Sequence, residues 1–213
     1  MTKFLIVLFS ILLIPGFKTE KKKILIIGDS ISIGYTPFVR EALLDKAVVV
    51  HNPGNAQHTG TGLKKLDEWV GDEKWDIIQF NWGLWDLCYR SPDSSESGKK
   101  DKINGTITFS VEEYQSNLRE LVKKLLATNT KLVFVTTTFV PENEPGRIAG
   151  DELRYNKAAL EVMQEFNIPV NDIYKASKKI HKKQGESPGN VHYTEQGYQM
   201  LAEKIVSFLQ KEI

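Results

Sequence analysis

Four polar segments of the chain carry residue types that can do chemistry, and each is followed or preceded by a strongly patterned stretch. Ser30 stands in GDSIS after the run KILII, Gly54 in HNPGNA, Asn81 in FNWGLWD and His192 in SPGNVHYTEQGY. An imidazole with a pKa of about 6.5 can take the proton of a serine hydroxyl, which turns a poor nucleophile into a good one. Each residue also has a structural interpretation, since a serine before a helix is commonly its cap. The arrangement of the four in the fold decides between the two.

Short apolar runs alternate with helical patterns along the chain. The runs are continuous and β-branched, which is typical of parallel strands buried on both faces. The helical segments repeat apolar residues every three or four positions. This alternation predicts a three-layer α/β/α domain with a five-stranded parallel sheet. The predicted strands are 23–27, 47–50, 76–80, 131–137 and 168–170, and the predicted helices are 37–44, 62–70, 111–127, 151–166 and 194–210.

The predicted strand ends place the four polar segments together. Open α/β sheets bind ligands beyond the carboxyl ends of their strands. Ser30, Gly54 and Asn81 each follow a predicted strand, and His192 precedes the last predicted helix. A long polar insertion, 90–109, follows the third strand, and loops of that length in compact domains are usually functional or mobile.

Composition narrows the class of protein. The chain has 213 residues and a formal net charge of +1, whereas a nucleic-acid-binding protein normally shows a basic face. We therefore expect no nucleic-acid partner. A single cysteine, Cys88, excludes an internal disulfide and a cysteine-based zinc site.

The N-terminus differs from the rest of the chain. Lys3 precedes the apolar run FLIVLFSILLIPGF, and the polar stretch KTEKKK follows it. The run is shorter than the roughly 20 residues of a membrane span and fits a secretory signal. No small-x-small pair marks a cleavage site, so an uncleaved anchor is the alternative. The sequence predicts a signal peptide or anchor over 1–20, one domain over 21–213, and export to the periplasm or the cell exterior.

The order of the motifs resembles the SGNH (GDSL-type) hydrolase family from residue 23 to the end. GDSIS matches its nucleophile block, NPGNA its glycine block and VHYTEQGY its last block, while GLWD stands at the third. The runs KINGTIT and RYNKAALEVM are similar to a bacterial subgroup of esterases. The resemblance implies a flavodoxin-like sheet and a serine ester hydrolase without metal or cofactor. It implies Ser30 as nucleophile, His192 as base, and the backbone N–H groups of Ser30 and Gly54 as oxyanion donors.

The chain departs from the family pattern in the third block. The family has an asparagine there that completes the oxyanion hole, and this slot is Trp85. Asn81 lies two residues before Gly83, on the same side of an extended strand end. We predict Asn81 as the third donor. The alternative is that it caps the strand end and the hole has two donors.

The second departure concerns the acid that orients the histidine. The family slot three residues before His192 is Gly189, and Asn190 follows it. In the Ser-His-Asp template, an asparagine in place of the acid lowers kcat by about 10⁴. The Asn190 oxygen, a backbone carbonyl or a remote acid could orient the imidazole, and Glu186 and Asp86 are the candidate acids.

Aromatic and basic residues near the third block predict the substrate. Trp82, Trp85 and Arg90 are the predicted contacts, since an exposed indole beside such a site favours stacking on a sugar ring. Arg147 and Arg154 are further candidates for binding an anionic group, and each could instead brace a loop. The polar insertion does not resemble the apolar lid of a lipase. We expect small-molecule or carbohydrate O-acyl esters, chiefly O-acetyl esters, as substrates.

Two other functions compete with the esterase. A carbohydrate-binding protein on the same fold would be catalytically disarmed at Gly189, Asn190 and Trp85. A nucleotide or phosphate binder is disfavoured, because GDSIS lacks the glycine-rich phosphate cradle of such sites.

Overall fold

A computed structural model describes residues 20–213 of the chain. The main sheet contains β1 (Lys22–Ile27), β2 (Ala47–His51), β3 (Ile77–Phe80), β6 (Lys131–Val135) and β7 (Val170–Asn171), and a short ribbon contains β4 (Tyr89–Arg90) and β5 (Thr106–Ile107). The helices are α1 (Ser30–Ala42), α2 (Thr59–Val70), α3 (Val111–Leu126), α4 (Asp151–Glu165), α5 (Tyr174–Gln184) and α6 (Glu195–Glu212).

The main sheet is entirely parallel, with strand order β2-β1-β3-β6-β7. Helices α1, α5 and α6 form one contiguous layer, and α2, α3 and α4 form the other. The predicted three-layer α/β/α class with a five-stranded parallel sheet is therefore confirmed. Ile26 of β1 pairs with His51 on one side and Gln79 on the other, so the carboxyl ends of three neighbouring strands are level.

Burial explains why β1 is a continuous apolar run. Its residues 24–27 are almost completely inaccessible to solvent. Successive side chains of a strand point to opposite faces, and here a helical layer covers each face. Both sets of side chains must therefore be apolar.

Two helices differ from the predictions. Helix α1 begins at Ser30 rather than at 37, because Asp29 caps it and the helix continues through Pro37. Helix α5 was not predicted, since KASKKIHKKQ shows no apolar periodicity and buries only Ser177, Ile180 and His181.

The predicted leader over 1–20 lies outside the described residues except for residue 20, so it stays a prediction. Between residues 20 and 213, no helix is both long enough and apolar enough to cross a membrane.

The insertion after β3 is anchored at both ends. Strand β4 pairs with β5 in antiparallel register, and the Tyr89 N–H donates to the Gly146 carbonyl at 2.6 Å. Inside the insertion, the Ser91 N–H donates to the Lys99 carbonyl at 2.9 Å. These bonds hold the segment over the carboxyl edge of the sheet.

Asp86 joins the end of β3 to the start of α2. Its Oδ1 accepts the Thr59 N–H at 2.9 Å and the Thr59 hydroxyl at 2.5 Å. The carboxyl group is fully buried, and its Oδ2 has no partner among the described residues. Burial raises the pKa of Asp86 to about 7.

Asp86→Asn is expected to stabilise the fold increasingly as pH rises from about 4 to about 7. The folded protein keeps a proton on Asp86 that the unfolded chain releases above its ordinary pKa of 3.8, so the wild type loses stability over this interval. Since one pKa unit corresponds to about 1.4 kcal/mol, the difference in free energy of unfolding grows by roughly 4 kcal/mol. Urea titrations of both proteins across this pH range measure it. A difference independent of pH would show that Asp86 is ionised in the folded state.

Candidate active site

Ser30 is the first residue of α1 and lies at the carboxyl edge of the sheet. The cap of α1 is Asp29, whose Oδ1 accepts the Ile31 N–H at 3.0 Å. The Ser30 hydroxyl is therefore not used as a helix cap. It lies 2.8 Å from Nε2 of His192, so the structure brings the predicted nucleophile and base into contact.

The side-chain amide of Asn190 sets the orientation of His192. Its Oδ1 lies 2.6 Å from His192 Nδ1 and also accepts the His192 backbone N–H at 3.1 Å. Its Nδ2 donates to Oε2 of Glu186 at 2.9 Å. With donors on its oxygen and an acceptor on its nitrogen, the amide has one orientation. This orientation places the imidazole proton on Nδ1 and directs the Nε2 lone pair at Ser30.

The arrangement combines two of the three predicted alternatives and decides between the two candidate acids. The Asn190 oxygen contacts the imidazole, and the remote carboxylate of Glu186 lies behind it. Asp86 is not the remote acid, because its carboxyl group binds Thr59 under α2.

The backbone around Asn190 is fixed as well. Nε2 of His181 lies 2.6 Å from the Asn190 carbonyl oxygen, and the Glu186 N–H donates to the His192 carbonyl at 3.0 Å. Helix α5 supplies His181, so the helix that the sequence did not reveal supports the loop of the candidate base.

The predicted glycine donor lies in a tight turn after β2. Gly54 has φ of +67°, a conformation that favours glycine. Asn52 holds the turn, because its Oδ1 accepts the Gly28 N–H at 2.9 Å and its Nδ2 donates to the Gly54 carbonyl at 3.3 Å. Within the described chain, neither the Ser30 N–H nor the Gly54 N–H donates a hydrogen bond, which leaves both for a ligand oxygen.

The structure does not place Asn81, the predicted third oxyanion donor, at the Ser30 cavity. Its Nδ2 donates to the Val135 carbonyl at 2.7 Å, which joins β3 to β6. Asn81 lines a separate small cavity that contains neither Ser30 nor His192. The amide that lines the Ser30 cavity is Asn55, which sequence reasoning missed although it follows Gly54 directly.

Of the three residues predicted to contact the substrate, Trp85 and Arg90 lie at the site and Trp82 does not. The prediction for Trp82 is wrong, because its side chain is fully buried and its Nε1–H donates to the Ala56 carbonyl at 3.4 Å. Trp85 and Arg90 both line the cavity beside Ser30. The Arg90 guanidinium lies 4.6 Å from the centre of the Trp85 ring, so it covers one face of the indole.

The cavity beside Ser30 and His192 has a volume of about 220 Å³. One wall comes from the insertion, through Arg90, Gly98 and Lys100. A larger groove of about 370 Å³ between α1 and α6 contains none of these residues. The insertion therefore shapes a small site rather than an extended acyl channel.

The charges around the cavity act on the candidate base. Burial is the main cause that lowers the pKa of His192, and Lys100 and Arg147 lower it further. Glu186 acts in the opposite direction. A neutral imidazole is the form that can accept the serine proton, so this environment favours the form that a general base needs.

A model of the GDSL-like Lipase/Acylhydrolase family matches residues 26–200. The chain therefore belongs to this family, as the order of its motifs predicted, and its class is that of enzymes that hydrolyse acyl esters. No curated protein matches the chain.

Several solved structures share the fold. A lipase/acylhydrolase from Enterococcus faecalis is 22% identical with a TM-score of 0.71, over 89% of this chain and 96% of that one. A catalytic mutant of Axe2, an acetylxylan esterase from Geobacillus stearothermophilus, is 19% identical with a TM-score of 0.69, over 92% and 96%. The acetyl xylan esterase AlAXEase is 17% identical with a TM-score of 0.70, over 88% and 99%. At these identities the similarity shows the fold.

The pH dependence of ester hydrolysis is expected to follow His192. Because its pKa lies below the ordinary 6.5, kcat/KM rises with pH to a plateau with a midpoint below about 6.5. Glu186→Gln removes a charge that stabilises the imidazolium and moves the midpoint lower, whereas Lys100→Gln moves it higher. Initial rates in a pH-stat measure the three profiles. Coincident midpoints would contradict the electrostatic account.

Asn190→Asp combined with Glu186→Gln is expected to raise kcat/KM about fivefold, because a charge-assisted hydrogen bond contributes roughly 1 kcal/mol more than a neutral one. Asn190→Asp alone is expected to gain less, since it places a second carboxylate against Glu186. Glu203→Gln, an exposed acid of α6, is the matched control. Steady-state rates on one activated ester compare the four proteins, and equal gains in the single and double variants would refute the role given to Glu186.

Proposed function

We propose that the protein is a serine esterase that hydrolyses short O-acyl esters, chiefly O-acetyl esters, of small molecules or carbohydrates. The observation that carries the proposal is the 2.8 Å contact between Ser30 Oγ and His192 Nε2. Asp29 caps α1 in place of Ser30, so the hydroxyl is free for this contact.

The reaction follows from the geometry. His192 Nε2 accepts the proton of Ser30 Oγ as the oxygen attacks the ester carbonyl. The N–H groups of Ser30 and Gly54 stabilise the resulting oxyanion, and the Asn55 amide on the cavity wall is the third donor in this scheme. His192 then gives its proton to the leaving alcohol. Water hydrolyses the acyl-enzyme by the same steps in reverse order.

Asn190 and Glu186 stabilise the intermediate in which His192 is charged. The Nδ1–H donates to Asn190 Oδ1, and Glu186 holds that amide by its nitrogen. The full negative charge lies one amide away from the imidazolium. This arrangement is weaker than direct contact with a carboxylate, but it keeps the tautomer that the reaction needs.

Cavity size and structural relatives support the proposed substrate class. A volume of about 220 Å³ suits a short acyl group, and the insertion that closes it is polar. Two of the similar structures are acetyl xylan esterases, which supports acetylated carbohydrates as the first natural substrates to test.

Ser30→Ala is expected to lower kcat for p-nitrophenyl acetate by at least about 10³-fold and to abolish labelling by a fluorophosphonate. Ser32→Ala is the matched control, since Ser32 also contacts a histidine, His51 at 2.7 Å, but is buried. Initial rates, fluorescent labelling and acetate release from acetylated xylan measure these effects.

Equal rates in wild type and Ser30→Ala, with glycan binding kept in both, would overturn the esterase and favour the carbohydrate-binding protein. Labelling that is lost in Ser32→Ala and kept in Ser30→Ala would show that Ser32, and not Ser30, is the nucleophile. A preference for octanoyl over acetyl esters would refute the short acyl group.

A further inference from the structure

One wall of the cavity that contains Ser30 is rich in positive charge. Arg90, Lys100 and Arg147 all line it. Among the described residues that line this cavity, Asp29 is the one acid. Its side chain is buried and caps α1, and burial raises its pKa. A single acid therefore faces three cations among the described residues that line the cavity.

A single carboxylate behind the wall is shared by two of the cations. Oε1 of Glu144, which is fully buried, lies 2.6 Å from Arg147 Nη1 and 3.3 Å from Lys100 Nζ. Its other oxygen accepts the Gly146 N–H at 2.7 Å. The carboxylate of Glu144 thus neutralises one positive charge and holds the side chains of both Arg147 and Lys100 in position.

The three cations that line the cavity make few other hydrogen bonds among the described residues. Arg147 Nε donates to the Leu84 carbonyl at 2.6 Å, which fixes the plane of the guanidinium. No hydrogen bond from its Nη2 is found between residues 20 and 213, and Nη2 is not among the buried atoms that lack a partner. Arg90 contacts no carboxylate in that range, and its guanidinium lies over Trp85 and donates to the Gly98 carbonyl.

We propose that this wall is an anion subsite, so that the preferred esters carry a carboxylate or similar anionic group near the scissile bond. The proposal rests on the proposed esterase, because the ester must lie at Ser30 for the anion to reach the wall. Guanidinium and ammonium groups fixed in a partly dehydrated cavity bind anionic oxygens more strongly than exposed ones do. Arg90 covers one face of the Trp85 ring, so a ligand beside that indole meets a positive charge.

Two other roles for the cations make different predictions. If they only stabilise the oxyanion, their removal slows neutral and anionic esters alike. If they only brace the insertion, their removal lowers stability without changing the preference between substrates. A preference for an anionic ester over a matched neutral ester therefore distinguishes the anion subsite from these two roles.

The experiment compares kcat/KM for para-acetoxybenzoate with that for its methyl ester, which places the anion on the alcohol side. p-Nitrophenyl hydrogen adipate against p-nitrophenyl hexanoate places it on the acyl side. The anionic member of at least one pair is expected to be favoured about tenfold, the effect of one charge-assisted hydrogen bond. Lys100→Gln and Arg90→Gln are expected to reduce that ratio to near one, and added salt to reduce it in the wild type.

Lys102→Gln is the matched control, because Lys102 belongs to the same insertion but donates to the Glu142 carbonyl outside the cavity. A ratio that is the same in wild type and Lys100→Gln, or equally reduced in Lys102→Gln, would overturn the subsite. Calorimetric binding of para-acetoxybenzoate and its methyl ester to Ser30→Ala tests the subsite without catalysis. Binding of the anion alone, lost when Lys100→Gln is added to Ser30→Ala, would uphold anion binding at this wall even if the proposed esterase fails, and equal binding of both would refute it.

Discussion

The candidate site depends on the side-chain amide of Asn190 having one orientation. An asparagine beside a histidine can present either its oxygen or its nitrogen, and the nitrogen would demand the wrong tautomer. Here the two N–H groups of His192 converge on Oδ1, and Glu186 accepts from Nδ2. The carboxylate that the family places next to the imidazole is thereby moved one amide away, and its orienting effect is kept. Charge stabilisation of the imidazolium is weakened, since the negative charge is farther from it.

A second constraint is that the residue that caps α1 and the residue that contacts His192 are different. A helix N-terminus needs an acceptor for its first N–H groups, and Asp29 provides it. Ser30 can then direct its hydroxyl at His192 while its own N–H stays unused. The turn at Gly54 contributes another unused N–H, because Asn52 binds the carbonyls of that turn and leaves the amide. The site is built from donors that the fold leaves unpaired at the carboxyl edge of the sheet.

Electrostatics link this edge to the insertion. Lys100 and Arg147 lie close enough to His192 to lower its pKa together with burial, and they line the same cavity as Arg90. The base and the proposed anion subsite therefore share one set of charges. Glu144 holds two of these cations in place from behind the cavity, so the polar insertion, which has no apolar core of its own, becomes an ordered wall.

The sequence by itself predicted the parallel sheet, because strands buried on both faces need continuous apolar runs. The order of its motifs predicted the family and pointed to Ser30 and His192, which lie in contact. The sequence could not predict the contacts of Asn81 and Trp82. The Asn81 amide donates to the Val135 carbonyl of a neighbouring strand, and the Trp82 side chain is buried in the core. Glu186 and Asp86 were equal candidates in the sequence, and only tertiary packing separated them, since Thr59 binds one and Asn190 the other. Asn55, Lys100 and the support of α5 also required the structure, because contacts across the fold leave no periodic signal along the chain.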